Sequence, residues 1–99
     1  MDSIETLRQR IDALDEQLVT LLNGRAACAQ AIGQLKLAAR VAVYQPAREA
    51  EVLAHVRAAN RGPLSDEALC RLFERVIDEA RYLERHANEG QKAEDNGQR

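Results

Sequence analysis

Ile4-Glu-Thr-Leu7-Arg-Gln-Arg-Ile11-Asp-Ala-Leu14-Asp-Glu-Gln-Leu18-Val-Thr-Leu21-Leu-Asn-Gly-Arg25-Ala-Ala-Cys28-Ala-Gln-Ala-Ile32-Gly-Gln-Leu35 is the stretch that decides the fold. Its apolar residues return in alternating steps of three and four, the a and d positions of a heptad. They therefore line one face of a long α-helix. Arg25 takes a seam position that a hydrophobic residue should hold. A guanidinium keeps its charge and is rarely buried without an anionic partner. Arg25 therefore either meets an internal acid or waits for an anionic ligand, and the rest of the chain favours the ligand.

Asp2 or Ser3 can cap this helix, with Glu5 near the positive end of its dipole. Periodicity continues to about Ala39. Gly24 and Gly33 each lower helix propensity by about 1 kcal/mol, but no Pro joins them. Roughly 37 helical residues reach about 55 Å. A compact chain of this length has a radius of gyration of only about 13 Å. One chain cannot bury that seam against itself, so an intertwined homodimer is expected.

Val41-Ala-Val-Tyr-Gln45 reads as a connection, because the residue before Pro46 is pushed away from helical angles. Pro46 suits the first turn of a second helix that carries Ala50, Val52, Leu53, Val56 and Ala59. Asn60-Arg-Gly62-Pro63 stops it, with Gly62 expected as the C′ residue. Ser65 caps a third helix, followed by Asp66 and Glu67 in the first turn. Its apolar positions are Leu69, Leu72, Phe73, Val76, Ile77, Ala80 and Leu83. The fold expected is all-α, three helices per chain, forming one domain over residues 4–86. Residues 87–99 read as a polar, disordered tail.

The 45% apolar and 30% charged content is ordinary for a soluble globular protein. A net charge of −2 gives no reason to expect nucleic acid or an acidic membrane as partner. Cys28 and Cys70 form no CxxC pair and no His lies at metal-ligand spacing, so no metal and no cofactor are expected. Cys28, in the seam, reads as a buried free thiol. No stretch is long and apolar enough to span a membrane and no signal peptide opens the chain, which implies a cytoplasmic protein.

Several charges break the apolar pattern. Arg25 and Lys36, eleven residues apart, share a helix face about 16 Å apart along the axis, so their long side chains can converge on one small anion. Arg8 lies near this face but about 25 Å from Arg25, too far to reach the same ligand in cis. An antiparallel partner helix could return it in trans. Arg48 and Glu49 open the second helix, and Glu84 ends the line Phe73, Ile77, Ala80, Glu84 on the third. The sum is a cationic pocket with two carboxylates in it. Taken singly, most of these charges are ordinary surface residues, and Glu84 could simply pair with Arg81 or Arg85.

Five stretches in order carry a family resemblance: Leu7-Arg-Gln-Arg-Ile-Asp-Ala-Leu-Asp-Glu-Gln-Leu18, Leu21-Leu-Asn-Gly-Arg25, Ile32-Gly-Gln-Leu-Lys36, Val43-Tyr-Gln-Pro-Ala-Arg-Glu49 and Leu72-Phe-Glu-Arg-Val-Ile-Asp-Glu79. Together they resemble the all-helical chorismate mutases of the AroQ class, over about residues 4 to 86. The resemblance implies an intertwined dimer of three-helix chains that converts chorismate to prephenate. By the same likeness, Arg8 from the neighbouring subunit, Arg25 and Lys36 would hold the two substrate carboxylates. Lys36 and Glu84 would flank the breaking ether oxygen. Arg48 would support the pocket, Glu49 would bind the ring hydroxyl, and Ile32 would help wall the site.

That chemistry is a one-substrate rearrangement with no nucleophile, metal or external base. Positioning a dianion and stabilising charge on the ether oxygen are the means, and rigid cations on helices supply both. Three positions depart from the commonest bacterial pattern. Gln45 stands where Asp is frequent for hydroxyl recognition, and Ala80 replaces a Ser that can touch a carboxylate. Glu84 stands where many members have Gln. Only a protonated Glu84 can donate to the ether oxygen, so activity is expected to fall as pH rises.

Two other functions share some of these features. Isochorismate pyruvate lyase has the same fold, but the Tyr44-Gln45-Pro46 loop and Arg48-Glu49 look more like mutase. A non-catalytic helical dimerisation module explains the heptads and leaves Arg25 unexplained. A four-helix metal protein fits poorly, since His55 and His86 lack the Glu-x-x-His pattern. No effector-binding domain is evident, so feedback control is not expected.

Overall fold

The computed structural model describes residues 2–86, and the polar tail expected over 87–99 lies outside them. Within the described residues there are three helices and no strand: α1 Ile4–Ala39, α2 Pro46–Ala59 and α3 Asp66–Arg85.

The helix ends follow from local chemistry. Ser3 caps α1, its hydroxyl oxygen accepting from the Thr6 N–H at 3.0 Å. At the other end Arg40 adopts a left-handed conformation (φ 58°, ψ 38°). Its N–H donates to Leu37 O and that of Val41 to Lys36 O, a Schellman arrangement that satisfies the last carbonyls. Pro46 sits in the first turn of α2, and Ser65 caps α3 by accepting from the Ala68 N–H.

The α2–α3 turn departs from expectation. Asn60, in an extended conformation, is the C-cap of α2, so Gly62 is not the C′ residue. Gly62 instead supplies a positive φ of 71° inside the turn. The Asn60 side chain organises that turn. It donates to Leu64 O and Asp66 Oδ1 and accepts from the Gly62 N–H.

α3 lies in the middle and packs against both α1 and α2, which do not pack on each other. The molecule measures 54 × 38 × 14 Å. Its longest dimension equals the length of α1, and its shortest is scarcely more than one helix diameter of about 10–12 Å. This is a single layer of helices, and a stable domain is built from at least two. The buried apolar residues are correspondingly few: Ala29, Val56, Cys70 and Ile77.

The α1 residues that face α3 are not those of the heptad seam. Ala29 and Gly33, one helical turn apart, are the buried residues of α1. The seam residues Ile4, Leu7, Ile11, Leu14, Leu18 and Leu21 all stay exposed. Cys28, expected as a buried thiol, is also exposed, because its face of α1 looks into a cavity; the buried thiol is Cys70.

Candidate active site

The cavity of about 420 Å³ lies where the C-terminal half of α1, the start of α2 and the end of α3 come together. Arg25, Ile32 and Lys36 reach it from α1, Gln45 from the connection, Arg48 and Glu49 from α2, and Ala80 and Glu84 from α3. Eight of the nine residues named from the sequence thus border one volume. Arg8 does not, being exposed on the first turns of α1.

The α1–α3 crossing sets the geometry. A Cβ at Gly33 would stand 2.6 Å from the Glu84 Cα and 2.7 Å from its carbonyl oxygen, so only glycine admits this approach. One turn on, Lys36 Nζ donates to Glu84 Oε1 at 2.7 Å and to Val43 O at 3.3 Å. Both side chains are largely shielded, at 17% and 15% exposure, so this is no solvated surface pair. Glu84 does not turn to Arg81 or Arg85.

Arg81 is instead a cavity residue that sequence reasoning missed. Its Nη2 lies 2.6 Å from both Glu49 carboxylate oxygens and its Nε 3.1 Å from Oε2, tying α3 to α2. Its guanidinium carbon lies 4.9 Å from the centre of the Tyr44 ring, within cation–π range. The hydrogen bonds to Glu49 raise the Arg81 pKa above its ordinary value despite partial desolvation. A signal was present, since Ile77, Arg81 and Glu84 recur at steps of four and three on one face of α3.

The wall of the cavity carries four cationic side chains (Arg25, Lys36, Arg48 and Arg81) against two carboxylates (Glu49 and Glu84). Lys36 and Arg81 are paired inside the site, and Arg48 lies 3.6 Å from the exposed Glu51. Arg25 has no carboxylate partner among the described residues. The site can therefore accept an anion at Arg25 without first breaking a bond there. A neighbouring hollow of about 500 Å³ along α2 and α3 shares Arg25 and Arg48 but has no acid in its wall. Among the described residues no three His, Cys, Asp or Glu side chains cluster to hold a metal ion, and no helix is long and apolar enough to cross a membrane.

Known proteins resemble this chain in sequence and in fold. The family model for chorismate mutase type II matches residues 7–85. The bifunctional chorismate mutase/prephenate dehydratase of Stutzerimonas stutzeri is 40% identical over 88 residues, covering 84% of this chain and 24% of that protein. The chain spans a quarter or less of the length of the bifunctional relatives it matches. Chorismate mutase (form II) from Thermus thermophilus superposes with a TM-score of 0.81 at 34% identity, covering 84% of this chain and 94% of that one. Chorismate mutase from Helicobacter pylori, solved in complex with prephenate, gives 0.79 at 31% identity, covering 87% and 93%.

Proposed function

This chain belongs to the type II chorismate mutase family, and we propose that it rearranges chorismate to prephenate in aromatic amino-acid biosynthesis, in the cytoplasm. The observation that carries this reading is Arg25, a half-buried guanidinium without an acid among the described residues, on the wall of a cavity that also holds the Lys36–Glu84 pair. In this reading Arg25 and Lys36 bind the substrate carboxylates. Lys36 and Glu84 flank the ether oxygen, where negative charge grows as the carbon–oxygen bond breaks. Glu49 accepts the ring hydroxyl, Arg48 supports the pocket, and Ile32, Gln45 and Ala80 shape it. Rigid helices fix these groups before substrate arrives, so catalysis needs little reorganisation.

The active form is a homodimer. The apolar seam from Ile4 to Leu21 is exposed, and fully burying each such side chain contributes about 1.5–3 kcal/mol. A second copy supplies both the missing helix layer and Arg8, which a single chain keeps about 25 Å from Arg25.

Replacing Arg25 by Leu separates an enzyme from a mere dimerisation module. In the enzyme the change removes chorismate turnover while leaving a folded helical dimer. A gain in stability with unchanged turnover would reject the role given to Arg25. Release of pyruvate from isochorismate, with chorismate untouched, would move the chain to the lyase reading.

A further inference from the structure

The Glu49 carboxylate is held by a side chain from another helix. Arg81 meets it with a two-nitrogen fork, and the Tyr44 ring backs the guanidinium at 4.9 Å from its centre. Arg81 and Glu49 are each 26% exposed in their side chains and come from different helices. The second acid near Arg81, Asp78, is farther away at 3.8 Å and more exposed. The fork is thus committed to Glu49.

The geometry points to Arg81 as a positioning residue that aims Glu49 at the substrate's ring hydroxyl, and so as a determinant of substrate choice. This inference rests on the mutase reading and adds a residue to it. A free Glu side chain on the first turn of α2 would sample several rotamers, some pointing out to solvent. A planar fork permits only one carboxylate orientation. Oε2 accepts from both Nε and Nη2, whereas Oε1 accepts from Nη2 alone. Oε1 therefore keeps the spare accepting capacity for an incoming hydroxyl. Gln45 also borders the cavity but is exposed and makes no capping hydrogen bond, whereas Glu49 is held in place.

A merely structural tie between α2 and α3 would behave differently. Its loss would slow every substrate alike. Loss of a positioning residue should instead erode the preference for substrates that carry the hydroxyl, because only that contact depends on where Glu49 points.

The test compares kcat/KM for chorismate with that for an analogue lacking the ring hydroxyl, in the wild-type dimer and in Arg81→Leu, Arg81→Lys, Glu49→Gln and the Arg81→Leu/Glu49→Gln pair. Arg81→Leu should lower the preference for chorismate by about tenfold, as expected for a misplaced hydrogen bond to a charged group. Arg81→Lys, which keeps the charge but not the fork, should fall between. In the double variant the preference should match that of Glu49→Gln alone, since both changes remove the same contact. An unchanged preference in Arg81→Leu or Arg81→Lys, or additive losses in the pair, would overturn the inference while leaving the mutase reading intact. Wild-type protein that turns over neither compound would overturn both.

Discussion

Gly33 and Glu84 meet backbone to backbone where α1 crosses α3: a Cβ added at Gly33 would stand 2.6 Å from the Glu84 Cα. That crossing places the Glu84 carboxylate within reach of Lys36, 2.7 Å from its Nζ. In Gly33→Ala the new methyl meets backbone, which cannot swing aside, so the helices must separate. Overpacking costs about 1–3 kcal/mol, against a gain of about 1 kcal/mol in helix propensity. The expected net is a loss of about 1 kcal/mol in urea unfolding, with a lower kcat as the Lys36–Glu84 pair spreads. A more stable variant would show that the close approach is absent in solution.

Arg40 ends α1 with a φ of 58°, a conformation that penalises any side chain. The Schellman bonds of Arg40 and Val41 require only backbone atoms. Arg40→Gly should therefore keep them and stabilise the fold by about 1 kcal/mol, read as a higher urea midpoint at unchanged slope. Neither Arg40 nor Val41 borders the cavity, so turnover should be unaffected.

How far the fold could be read from the sequence depended on where each partner lay. Ser3, Pro46 and Ser65 announce helix starts through bonds within a few residues, and these positions match the structure. Gly62 was misplaced because Asn60, by bonding across the turn, ends α2 first. Cys28 was misread because a heptad seam shows which face is apolar and not what covers it. Among the described residues that face borders a cavity at Cys28 and Ile32 and lies open at Leu21 and Leu35. Arg81 escaped notice because Glu84, near it in sequence, suggested a surface pair, whereas its partner Glu49 is 32 positions away on another helix.

Glu84 now accepts a hydrogen bond from Lys36. Donation to the ether oxygen requires a proton on its carboxyl, so kcat should fall as pH rises and that proton leaves. Glu84→Gln donates at any pH and should flatten that profile. An identical pH dependence in the Gln variant would remove Glu84 from the reaction.

Arg8 can be assigned to the neighbouring subunit by mixing. Arg8→Ala and Arg25→Ala homodimers should each be nearly inactive. After unfolding and refolding together, half the dimers are mixed, and one of the two sites in each mixed dimer regains both arginines. Activity should return to about a quarter of the wild-type value. If Arg8 and Arg25 served the same site from one chain, mixing would restore nothing.

The most direct measurement is to incubate the purified wild-type protein with chorismate, follow the loss of its absorbance, and identify the product. Rapid conversion to prephenate, abolished in Arg25→Leu, is the expected result. Chorismate left unchanged by the folded protein, or consumed equally fast by the Arg25 variant, would contradict the assignment of this cavity as a chorismate mutase site.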